Sequence, residues 1–118
     1  MANAGQFQDL TAPLTAVIAN GTNASAVIDL RGGTLVGIQI PSVMTSTTLT
    51  FKVAAVQGDT PSDLYNSNSA QVSITIPTAS ARSFALDPST FAGWNFVQVV
   101  SSSNEGADRS LKLFTRPI

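Results

Sequence analysis

Apolar and polar residues trade places with a period of two along most of this chain, in runs of about four to eight residues. Turn residues interrupt the runs about every ten positions, which is the mark of a sandwich or barrel. No stretch holds the i, i+3, i+4, i+7 spacing of an amphipathic helix for three turns. The pattern predicts about seven or eight short strands and an all-β fold.

The first run covers 14–19 and closes on Asn20-Gly21, a strong turn signal. The second, 24–30, places Ala26, Ile28 and Leu30 on one face, and Gly32-Gly33 then breaks the chain. In the third, 35–40, Val36, Ile38 and Ile40 share a face, and Pro41 ends the ladder because proline has no N–H to donate. The clearest run is 47–54: Leu49, Phe51 and Val53 point one way, and Thr48, Thr50 and Lys52 the other.

Residues 58–69 (GDTPSDLYNSNS) read as a polar loop, long for a compact domain and therefore exposed. Alternation returns at 71–76 through Val72, Ile74 and Ile76, and at 83–86 with Phe84 and Leu86 inward. Asp87-Pro88-Ser89 suits a turn or the N-cap of a single helical turn. Runs at 94–101 and 109–115 are expected to form the closing pair around a hairpin loop at 102–108. Trp94, Phe51, Phe84 and Phe96 are expected in the core. The expected product is an antiparallel β-sandwich of jelly-roll type over 14–118, preceded by an arm at 1–13. An immunoglobulin-like sandwich is the neighbouring option, without the Cys pair that marks its true members.

Composition sharpens this picture through charge. Only 11 % of the 118 residues are charged, with a formal net charge of -1, where a typical soluble protein has about 25 %. Ser, Thr, Asn and Gln take the solvent-facing positions that Lys and Glu usually hold. Such a surface gives little colloidal protection and favours life packed against neighbours. Nucleic acid is not an expected partner, since its binding rests on neutralising phosphates with Lys and Arg. A membrane is not expected either: there is no polybasic segment and no apolar run near the length needed to span a bilayer. The opening residues lack the basic and apolar regions of a secretory signal, so synthesis in a cytoplasm is expected. Two Asn-X-Ser/Thr triplets, at 20–22 and 23–25, read as features of an Asn- and Thr-rich turn.

Chemistry finds few residues to work with. The chain has no His and no Cys, so a Ser-His-Asp triad, a Cys-His dyad and a thiolate or histidine zinc site cannot be built. No phosphate-cradling glycine loop occurs. Asp59 and Asp63, with Thr60, Ser62 and Asn66, offer oxygens of the kind calcium takes, but they lack a glycine-spaced binding pattern and read as turn formers. The 7 acidic residues are scattered singly over turns and no pair is favoured. Asp108 and Arg109 are expected to pair locally. No catalytic residue, metal ligand or cofactor is expected. Among aromatic residues, Tyr65 is the candidate for an outward contact.

Residues 27–41 (VIDLRGGTLVGIQIP), 47–53 (TLTFKV preceded by Thr47), 86–91 (LDPSTF) and 107–117 (ADRSLKLFTRP) together carry a resemblance. Their order resembles small structural proteins encoded among the virion genes of tailed bacteriophages, from about residue 16 onward. The matching residues are turn and core positions, so they speak to the fold more than to a role. The resemblance implies a non-enzymatic virion protein made in the host cytoplasm. The expected role is decoration or cement on the capsid exterior, binding the major capsid protein and itself as a dimer or trimer. Multivalent attachment to a repeating lattice suits a small oligomer. Partner contacts are expected through the arm and loop tips: Phe7, Leu10, Pro13, Asp63, Tyr65 and Asn66. The alternative is a β-sandwich module of a tail, baseplate or fibre that binds carbohydrate or another tail protein, with Trp94 or Tyr65 on an exposed platform.

Overall fold

The computed structural model describes residues 12–77 and 80–117. Within them the order is β1 (Leu14–Ile18), β2 (Ile28–Asp29), β3 (Thr34–Ile40), β4 (Thr48–Ala54), β5 (Ser62–Asp63), β6 (Ser73–Thr75), β7 (Arg82–Ala85), α1 (Pro88–Phe91), β8 (Phe96–Ser101) and β9 (Arg109–Arg116). The strands form two antiparallel sheets packed face to face, an all-β sandwich.

The topology is that of one long hairpin rolled up. β1 pairs with β9, β2 with β8, β3 with β7, and β4 with both β5 and β6. The outer pairs nest around the inner ones, and alternate pairs fall in alternate sheets. One sheet therefore reads β1-β9-β3-β7 and the other β2-β8-β4-β5, with β6 continuing the same edge of β4. Counting β5 and β6 as one interrupted strand leaves the eight of a jelly roll.

This nesting corrects the expected closing pair. β8 and β9 do not pair with each other; they lie in different sheets, and 102–108 crosses between them. The Asn20-Gly21 turn likewise carries the chain from β1 in one sheet to β2 in the other, joined only by an isolated bridge between Ile18 and Ser25. Gly21 supplies the left-handed backbone there, with φ of 82°. Both turns are real, but in a jelly roll the last strand is claimed by the first.

Alternation fills the space between the sheets. Ala16, Ile18, Leu35, Ile38, Ile40, Leu111 and Leu113 come from one sheet, and Leu49, Phe51, Val53, Val97 and Val99 from the other, all buried. β4 follows its expected phase from Thr48 to Val53, and Ala54 at its end is buried as well. β3 does not follow its expected phase. Its pairing with β9 shifts between Leu35 and Gly37, so a bulge places one extra residue in the strand and changes which side chains face inward. Leu35, Ile38 and Ile40 are buried and Val36 is only half-buried, where strict alternation grouped Val36 with the buried face.

β8 carries a second correction, governed by parity. Val97, Val99 and Ser101 are buried, so Phe96, one position earlier, must lie on the opposite, outer face with Gln98 and Val100. Phe84 and Trp94 fit expectation better: both are partly buried and pack against the core.

The region 58–69 is also less loop-like than its composition. It contains β5, and Leu64 is buried with only 5 % exposure. Leu64 N–H donates to the Phe51 carbonyl at 2.9 Å, which lays this stretch along the edge of β4. Single-turn helix α1 forms as its chemistry directs: Asp87 is the N-cap and accepts from the Ser89 amide, and Pro88 opens the turn. Phe91 then drops into the core, its ring edge-on to Phe51 with centroids 5.2 Å apart at 82°.

Phe51→Ala should cost about 3–5 kcal/mol, because it removes a wholly buried ring and the partner of Phe91. Urea unfolding of the two proteins checks this. Phe96→Ala, on the outer face, should cost clearly less.

Candidate functional site

Three places bring together groups from separate parts of the chain. The first closes one end of the sandwich and is structural. The other two lie on the outside.

At the closed end, Glu105 is buried, its side chain fully so. One carboxylate oxygen accepts from the Thr45 amide at 2.7 Å and from Arg109 Nε at 3.0 Å; the other accepts from the Ser46 amide at 3.1 Å. Its backbone is tied to the β1–β2 turn, where Gly21 N–H donates to the Glu105 carbonyl and Glu105 N–H to the Thr22 carbonyl, both at 2.8 Å. Around this centre Thr45 Oγ1 accepts from Gly106 N–H and Arg109 Nη2, and Ser46 Oγ accepts from Ser103 N–H. Three crossings between the sheets are thus fastened at one residue, two through its carboxylate and the β1–β2 turn through its backbone.

Burial pushes the Glu105 carboxyl up. The nearby Ser46 hydroxyl, the Thr45 amide, the Arg109 guanidinium and the Ser46 amide outweigh it, and the carboxyl sits below its ordinary value. The ion pair expected between neighbours Asp108 and Arg109 is replaced by this one. Asp108 instead accepts from the Asn20 amide at 2.8 Å.

The second place is a shallow depression of about 290 Å³ lined by Val27, Asp29, Gln57, Gly58, Asp59 and Phe96. Asp29 and Ala54 flank Phe96 in register on β2 and β4. Val27 is 45 % exposed, and Val56, next in sequence to Gln57, is 56 % exposed.

The third is a groove of about 460 Å³ between a small hairpin and α1. The hairpin is built on Leu64, whose carbonyl accepts from Val72 N–H at 3.0 Å, with Tyr65 bridged to Gln71 above it. Asn66 organises the tip: its Oδ1 accepts from the Asn68 and Ala70 amides at 2.9 and 3.1 Å, and Ser69 takes a left-handed φ of 63°. Tyr65, Asn66 and Ser67 face Asp87, Ser89, Thr90 and Trp94 across the groove, with Leu64 beneath.

Of the expected contact residues, Tyr65 and Asn66 come together in this groove. Asp63 lies nearby on β5, exposed and opposite Lys52 in register, but does not line it. Pro13 is exposed at the entry to β1. Phe7 and Leu10 lie outside the described residues. Among the described residues no group of three or more acidic side chains is placed to hold a metal. No helix there is long and apolar enough to cross a membrane.

Sequence reasoning missed two residues. Phe96 was betrayed only by the parity of Val97 and Val99. Glu105 gave no local signal, because its partners Thr45 and Ser46 lie 60 and 59 residues away.

No protein-family model matches the chain, and no match was found among curated proteins or solved structures.

Glu105→Ala should cost about 3–5 kcal/mol, since it leaves Arg109 and two amides without their acceptor. The wild-type contribution follows pH in a definite direction. The folded-state value lies below the unfolded one, so the stabilisation is complete above the ordinary glutamate value of about 4.3. It is lost as pH falls through the lower folded value. Thermal melts from neutral to acid pH should therefore fall more steeply for the wild type than for Glu105→Gln.

Proposed function

We propose that this chain is a non-enzymatic structural protein of a bacteriophage particle, a decoration protein that docks on the major capsid protein lattice as a dimer or trimer. The observation that supports it best is the outward Phe96. A large, half-buried aromatic side chain at the start of β8, on its outer face and beside exposed Val27, lies outside the core cluster. Aromatic side chains in such settings are the usual anchors of protein interfaces.

The surroundings suit the same use. With 11 % charged residues the exterior can be covered without stranding unpaired charges. A specific contact takes about 800 Å² from each partner, or about one-eighth of the 6400 Å² surface. The jelly roll is a fold used by viral capsid proteins, as well as by lectins, so it is compatible with the role without dictating it. The expectation drawn from residues 27–41, 47–53, 86–91 and 107–117 points the same way.

Mixed with expanded phage heads that lack it, the protein should co-sediment at a fixed ratio to capsid subunits. Phe96→Ser should weaken that binding by about tenfold or more while the domain still melts cooperatively. Protein left wholly in the supernatant contradicts the proposal, and so does full binding by the Phe96 variant for the patch itself.

A further inference from the structure

We propose that the groove between the 64–72 hairpin and α1 is a binding subsite for a neutral carbohydrate, one or two sugar units of a hexose or N-acetylhexosamine chain. This does not rest on the virion reading, and it uses a surface separate from Phe96.

The groove holds two aromatic side chains of different character. Tyr65 is 54 % exposed, at the rim. Trp94 is half-buried, with one part packed against the core and another lining the groove. An exposed ring beside an anchored one gives the C–H face of a pyranose an apolar surface, and the phenol and indole N–H offer polar edges. The hydrophobic effect alone gives a weak reason to expose such rings; a ligand that is apolar on its faces and polar at its rim gives a better one.

The polar groups fit the rest of a sugar. Asn66 Oδ1 is spent on the hairpin tip, and one Asp87 oxygen on the Ser89 amide and hydroxyl. Among the described residues, Tyr65 Oη, Asn66 Nδ2, Ser67 Oγ, Thr90 Oγ1 and Trp94 Nε1 make no hydrogen bond to protein. An amide donor, hydroxyls and a carboxylate acceptor in one concave site are the complement of vicinal hydroxyl groups, which donate and accept at once.

Charge selects among ligands. Among the described residues, the only charged one lining the groove is Asp87. A phosphate or a nucleotide finds no cation there and meets a carboxylate, although its base could stack. A metal ion lacks a set of ligands among the described residues. A neutral glycan meets none of these objections.

Both walls of the site are also anchored to the core. They hang from Phe51: its carbonyl accepts from Leu64 at the base of the hairpin, and its ring meets Phe91 of α1. Both groove walls are therefore placed by a core residue of β4, and the cost of ordering them falls on folding and not on binding.

Trp94 is the only tryptophan of the chain, so its emission reports on the groove directly. The full chain should be applied to a printed array of neutral hexose and N-acetylhexosamine oligosaccharides, and the bound species titrated in solution against tryptophan fluorescence. The expected result is a saturable change in Trp94 emission by at least one such oligosaccharide. Tyr65→Ala should weaken it about tenfold or more at an unchanged melting temperature, and Thr90→Val should weaken it less. Phe96→Ser should leave it unchanged. An array with no bound oligosaccharide overturns the proposal. Binding that survives Tyr65→Ala, or that leaves Trp94 emission unmoved, overturns it equally.

Discussion

The structure depends on the buried contact made by β4, with Phe51 at its centre. Its ring lies between the sheets and meets Phe91 edge-on, so the core and the single helical turn are fixed together. Its carbonyl takes the Leu64 amide, so the hairpin at the sheet edge is fixed to the same residue. From that one strand follow the inner layer of the sandwich, the orientation of α1 and the walls of the outer groove. A change in the phase of β4 would turn Leu49, Phe51 and Val53 to water and dissolve all three.

A second constraint acts at the opposite level of chemistry. A jelly roll brings distant crossings together at its ends, and each crossing leaves backbone amides that need acceptors. Glu105 answers this with a single carboxylate that takes two amides and a guanidinium. A buried charge is costly unless so surrounded. Here the surroundings hold it ionised, which makes the end of the sandwich dependent on one acid in a chain that has few.

The strands were largely legible because burial on one face writes a period of two into the sequence. β9 shows it over its whole length and β4 from Thr48 to Val53. It failed where something other than period decides. At β3 a bulge near Gly37 changes the phase, and no pattern of apolar residues announces a bulge. At β8 both phases are apolar, so size suggested Phe96 for the core, whereas the continuity of Val97 and Val99 decided otherwise. Pairing was less legible still. Asn20-Gly21 and 102–108 look like local hairpins, and only the long-range claim of β1 on β9 shows that they are crossings. The groove was half visible: Tyr65 and Asn66 stood out in a polar stretch, but their meeting with Trp94 and Asp87 depends on tertiary structure.

The nested pairing underlies every one of these placements, and nuclear Overhauser contacts in the full chain test it most directly. The account predicts cross-strand contacts between Ala16 and Leu111 and between the rings of Phe51 and Phe91, with no ladder joining β8 to β9. A continuous β8–β9 ladder, with β1 paired elsewhere, would contradict it.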